Sequence, residues 1–157
     1  TEILIEVPLL GNISTSNAAV QHLLLLIIFT YFIDDAHDLA EGIYDAVGDR
    51  KSGVKTFTTS FGSKTAAKIS FSMFFISGIL GIVLYFTTVL TLIFLIPFLA
   101  IWIYNLYYAY NLVTADEKRM KTLGRIVGRK GFDYFLLSYN LIFIDVLIQL
   151  LISNFLK

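Results

Sequence analysis

Between Lys68 and Asp116 the chain carries no charged side chain. That interval holds two apolar runs of membrane-crossing length, joined by the small, uncharged pair Thr87 and Thr88. A bilayer core about 30 Å thick takes roughly 20 residues of helix to cross. A segment in lipid must also satisfy its own backbone hydrogen bonds, as a helix does. A mean hydropathy of +0.75, with 57% hydrophobic and 15% charged residues, is too apolar for a soluble domain of 157 residues. The fold class expected is therefore all-α: a multi-pass transmembrane helical bundle. About four membrane spans are expected, near 18–33, 68–86, 89–113 and 132–156. The absence of cysteine excludes disulfides and thiolate metal sites. A formal net charge of zero gives no overall attraction to nucleic acid.

Against this apolar background, acid is concentrated in one place. The stretch from Asp34 to Gly62 holds six of the twelve acidic residues: Asp34, Asp35, Asp38, Glu41, Asp45 and Asp49. As a helix, it places Asp34, Asp38, Glu41, Asp45 and Asp49 at spacings of 4, 3, 4 and 4, all on one face. Like charges at that spacing weaken a bare helix, so the row needs a reason. The first span is short and is expected to continue beyond the membrane as this acidic helix. After Gly53 a loop is expected, then a new helix from about Ser63.

The remaining features are quieter. Pro8 and the Gly11-Asn12 pair mark a turn or re-entry loop ahead of the first span, with Ser14, Thr15, Ser16 or Asn17 as candidate helix caps. His22 reads as an interfacial hydrogen-bonding group. Ser70, Ser77, Gly78 and Gly81 are spaced to let helices approach closely, and Pro97 is expected to kink the third span. That span turns aromatic and polar at Trp102, Tyr104, Asn105, Tyr107, Tyr108, Tyr110 and Asn111. An interfacial belt accounts for the rings. The amides are costly toward lipid, so part of this face is expected to line protein or a cavity, with Tyr104, Asn105, Tyr107, Tyr108 and Asp145 of the last span as candidate lining residues. Asp145 is placed at mid-depth in the last span, facing the bundle interior, with a structural hydrogen bond favoured over direct catalysis.

Charge also orients the chain. If four spans alternate direction, the acidic stretch and a basic loop from Thr114 to Gly131 share one side. That side holds 11 of the 12 basic residues, with Lys157 alone opposite. The positive-inside rule then makes both loops cytoplasmic, in a protein of the cell membrane.

Aligned carboxylates with oxygen ligands only, at a membrane surface, suit Mg²⁺, which takes a few carboxylates plus waters and substrate phosphates. Arg50, Lys51 and Lys55 follow at once and suit the remaining phosphate charge. No glycine-rich phosphate loop with its lysine is present. A diphosphate on a lipid tail fits such a place better than a nucleotide.

The residues Asp45-Ala-Val-Gly-Asp49-Arg50-Lys51-Ser52-Gly53-Val54-Lys55-Thr56, ending in Phe61-Gly62, resemble the second aspartate-rich motif of the UbiA family of intramembrane prenyltransferases. The segment Pro8-Leu9-Leu10-Gly11-Asn12 and the span pattern are also similar to that family's C-terminal half. The resemblance implies a larger bundle with a central cavity open to lipid. In it, Mg²⁺ grips a polyprenyl diphosphate while an aromatic or glycerol-lipid acceptor attacks the allylic cation. Carried onto this chain, it implies Asp45 and Asp49 as catalytic Mg²⁺ ligands, with Asp38 and Glu41 as further candidates two turns and one turn before Asp45. Arg50, Lys51 and Lys55 become diphosphate contacts, and Tyr104, Tyr107 and Tyr108 could shield the cation.

Departures from the family pattern matter. The first motif, N-D-x-x-D, is absent, and so is the lysine usual near Ile5 or Glu6. The chain is thus expected to be a C-terminal half, residues 1–157, that needs a missing N-terminal half as partner. Its start at Thr1, without Met, reads like the interior of a longer protein. The literal D-D-x-x-D at Asp34 to Asp38 belongs to soluble prenyl diphosphate synthases, which the flanking spans argue against. His37 is more simply a hydrogen-bonding group than a ligand. The rival functions are an inactive or partner-dependent fragment, and half of a cation-coupled transporter, which should carry its charges at the midplane.

Overall fold

The computed structural model describes residues 4–7, 11–14 and 18–155. Among these, two short strands, β1 (Leu4–Val7) and β2 (Gly11–Ser14), pair antiparallel, with Ile5 opposite Ile13. Five helices follow: α1 (Ala18–Lys51), α2 (Phe57–Phe61), α3 (Ser63–Thr87), α4 (Leu92–Thr114) and α5 (Glu117–Phe155). The all-α bundle is thus as expected, preceded by a hairpin. The proposed caps at 15–17, residues 8–10 and Lys157 lie outside the described residues.

α1 packs between α3 and α5, and α4 completes the bundle by packing on α3 and α5. Three of these helices, α3, α4 and α5, are long and apolar enough to cross a membrane. The expected first span is the N-terminal half of α1 and is not one of the three. The acidic stretch continues it without a break, through Gly42 and Gly48. At 34 residues α1 is about 51 Å long, well beyond one bilayer core.

The basic segment 114–131 is a correction. Only Ala115 and Asp116 separate α4 from α5, and the basic residues occupy the opening turns of a 39-residue helix. Gly124, Gly128 and Gly131, which read as loop residues, instead lie against α1. A Cβ on Gly124 would fall 2.7 Å from the Ala40 carbonyl oxygen, on Gly128 2.9 Å from Glu41 Cβ, and on Gly131 2.6 Å from His37 Cβ. These are small-residue contacts between helices.

The same device works on α3, as expected from sequence. Ser70, Ser77, Gly78 and Gly81 are all buried. The Trp102 indole lies over Gly78 and donates from Nε1 to the Phe74 carbonyl at 2.9 Å. Ser70 Oγ donates to the Ala36 carbonyl at 2.6 Å, tying α3 to α1. Phe29, Phe74, Phe94, Phe98 and Tyr134 fill the centre, with Phe94 and Phe98 stacked at 4.9 Å. Pro97 sits within α4 without ending it.

The charged ends gather at one end of the bundle. Lys64 Nζ, at the start of α3, donates to the Val113 and Ala115 carbonyls at the end of α4. Lys121 and Arg125 of α5 lie 5.2 and 5.0 Å from the Tyr44 ring centroid on α1.

Candidate functional site

The periodicity of α1 sorts its residues cleanly. Phe29, Ile33, Ala36, Ala40, Ile43 and Ala46 recur every three or four positions and are buried against α3 and α5. Asp34, Asp38, Glu41 and Asp45 fall on the opposite, exposed side, with Asp49 half-buried at the end of the row. The row therefore lies on a single face of α1, opposite its buried residues, with Glu41 at the edge where Gly128 of α5 packs.

Its ends differ. Asp35 and Asp38 border a groove of about 440 Å³ with Leu39, Gly42, Thr58 and Met73. The wall of that groove is the loop after α1. Gly53 turns it with φ 71°, and Thr56 caps α2 by accepting from Thr59 N–H at 3.2 Å. At the other end, Arg50 borders a cavity of about 380 Å³ with Lys64, Glu117 and Lys121. Lys51 and Lys55 are exposed beside it in sequence.

The four candidate metal ligands do not meet at a point. From Asp38 to Asp49 the helix rises about 16 Å, so no one ion reaches all of them. Among the described residues no group of three or more Asp, Glu or His converges as a metal site. Asp45 and Asp49, one turn apart, have Cβ atoms about 6 Å from each other. Two carboxylates facing outward at that spacing suit Mg²⁺, which completes its shell with water and phosphate. The donor set fits one wall of such a site.

His37 is buried at 7% exposure. Its ring nitrogens lie 3.3 Å from Asp34 Oδ1 and from Asp38 Oδ1, without hydrogen-bond geometry, and its ring meets Phe132 edge-on at 5.6 Å. His22 borders a separate apolar hollow of about 200 Å³ with Leu84, Leu90 and Val146.

On α4, Asn105 is buried and borders a cleft with Tyr104, while Tyr107, Tyr108 and Asn111 border another of about 500 Å³. Both clefts lie between α4 and α5, whereas the acidic face belongs to α1. Asp145 makes the structural hydrogen bonds favoured for it from sequence. It is fully buried at the α3–α4 turn, where Oδ2 accepts from Thr91 N–H at 2.6 Å. Oδ1 accepts from Thr91 Oγ1 at 2.8 Å and from Gln149 Nε2 at 3.1 Å. A carboxylate so occupied holds a turn, and Asp145 borders none of the clefts described above.

Bundle and site together define an integral membrane protein whose acidic residues are ranked along one helix face beside a basic tail. Residues 6–125, more than half of the chain, match the UbiA prenyltransferase family, and the chain belongs to that family. No curated protein and no solved structure matches it.

Proposed function

We propose that this chain carries the second aspartate-rich half of a Mg²⁺-dependent prenyltransferase. The reaction is transfer of a prenyl group from a polyprenyl diphosphate to an aromatic or glycerol-lipid acceptor within the membrane. Family membership supports the class of reaction. The observation that carries the residue assignment is the outward carboxylate row of α1, whose Asp45 and Asp49 run directly into Arg50, Lys51 and Lys55.

Asp45 and Asp49 are the assigned ligands, with Asp38 and Glu41 as outlying members of the row. Bound Mg²⁺ would neutralise the diphosphate and so help it leave as an anion. Arg50, Lys51 and Lys55 carry the charge that the metal leaves unmatched. The buried flank of α1 fixes the row against α3 and α5, so the carboxylates present a fixed face to whatever covers them. An N-terminal half of the protein is the proposed cover, since one wall of carboxylates leaves the site incomplete.

Asp45→Ala and Asp49→Ala should each reduce prenyl transfer by at least ~100-fold in membranes carrying the complete protein, with insertion and abundance unchanged. Transfer that survives both substitutions removes the assignment. The same reading places the row on the cytoplasmic side of the cell membrane. A cysteine at Ser52 should then react with an impermeant maleimide only after the cytoplasmic face is opened, and labelling from outside intact cells would reverse the topology.

A further inference from the structure

Across the bundle from the acidic row, α4 and α5 enclose a cleft of about 320 Å³ lined by Ile101, Tyr104, Asn105, Lys130, Asp133 and Leu137, with Tyr134 at its back. Its polar groups are held in place. Lys130 Nζ donates to Tyr104 Oη at 2.8 Å and lies 4.5 and 4.3 Å from the ring centroids of Tyr104 and Tyr108. That leaves the Tyr104 hydroxyl hydrogen and the other Lys130 N–H groups to donate elsewhere.

Asn105 is the anomaly. It is 1% exposed, and among the described residues neither Nδ2 nor Oδ1 has a hydrogen-bond partner. It sits nine residues, about 14 Å, inside the end of α4 at Thr114. An amide buried at that depth without partners is costly, and in a membrane protein such groups mark ligand sites. The cleft offers donors from Lys130, Tyr104 and Asn105, with the Asp133 carboxylate one turn beyond Lys130 on α5. Ile101 and Leu137 add apolar surface beside them.

We propose that this cleft binds the headgroup of a zwitterionic phospholipid from the adjoining leaflet. The phosphate takes the free donors of Lys130, Tyr104 and Asn105, and the headgroup ammonium pairs with Asp133. The acyl chains leave along the apolar side into the bilayer. The site is separate from the acidic row and does not depend on prenyl transfer.

The test is lipid retention. The protein is placed in nanodiscs of equal parts phosphatidylethanolamine and phosphatidylglycerol, released into detergent, and weighed by native mass spectrometry. Phosphatidylethanolamine should be retained about tenfold over phosphatidylglycerol. Lys130→Gln and Asn105→Leu should each remove that retention. Asp133→Asn, a surface change, should keep a bound lipid but lose the preference for the amine-bearing one. Unchanged retention in both Lys130→Gln and Asn105→Leu would overturn the proposal and leave Asn105 to a bridging water. Equal retention of the two lipids in the unaltered protein, or displacement of lipid by millimolar inorganic phosphate, would overturn it as well.

Discussion

Two carboxylate settings coexist in this protein, and they differ in what the chain supplies to them. Asp145 is fully buried and accepts three hydrogen bonds, two from Thr91 and one from Gln149. Asp38, Glu41 and Asp45 stand exposed along α1, on the side opposite its packed residues. A buried charge is tolerated only when its lone pairs are filled from within. Asp145 meets that condition and holds the turn between α3 and α4. Beyond Asp38, which lies near His37, the row on α1 has like charges as its neighbours along the helix, so holding the fold together does not account for Glu41, Asp45 and Asp49.

The sharpest break in that comparison is in stability. Asp145→Ala leaves the Thr91 N–H and hydroxyl without their acceptor and should cost about 3 kcal/mol. Thermal unfolding in detergent measures it. Glu41→Ala should cost nothing, and relief of like-charge repulsion should stabilise slightly, by about 0.3 kcal/mol. If both substitutions destabilise equally, the row is structural and the distinction fails.

How far this was legible in the sequence follows the same physical line. The acidic face was readable because helical period is a local property, and nothing in 34–49 interrupts it. The serines and glycines of α3 were readable for the same reason. The start of α5 was not. Six basic residues and three glycines between Lys118 and Gly131 read as a loop, because charge and glycine are loop signals until a partner helix is in view. The glycines at 124, 128 and 131 recur at spacings of four and three, and that spacing was the signal for a helix face packed on α1. The burial of Asp145 was legible, but its partner was not. Its partner Thr91 is far away in sequence, and only the fold brings the α3–α4 turn down to it. Asn105 was marked as costly toward lipid, but its cleft depends on Lys130 and Asp133 of another helix.

Close packing gives a smaller expected effect. Gly78 sits beneath the Trp102 indole, and an added Cβ would lie 1.8 Å from Cε2. The ring cannot swing aside without giving up its hydrogen bond to the Phe74 carbonyl. Gly78→Ala should therefore destabilise by about 2 kcal/mol, somewhat less than the loss at Asp145. The same change at Gly48, where nothing lies within 4 Å, should be neutral or stabilising, because alanine favours the helix. Native tryptophan fluorescence during denaturation reads both, since Trp102 is the one tryptophan. A neutral Gly78→Ala would mean that α3 and α4 slide freely, and that Asp145 alone holds their turn.

Lys64 marks the smallest effect and the boundary between the two kinds of charge. It borders the cavity beside Arg50, so proximity alone would group it with the proposed diphosphate contacts. Its ammonium, however, donates to the Val113 and Ala115 carbonyls, which are end groups of α4 left without helical partners. A cation there also meets the negative end of the helix dipole. Its role is then of the Asp145 kind, though exposed to solvent and therefore weak. Lys64→Met should lower stability by about 0.5 kcal/mol and leave prenyl transfer within roughly twofold, whereas Arg50→Met should do the reverse. Loss of transfer in Lys64→Met, with the unfolding temperature unchanged, would move Lys64 from the charges that hold helix ends together to those that face the substrate.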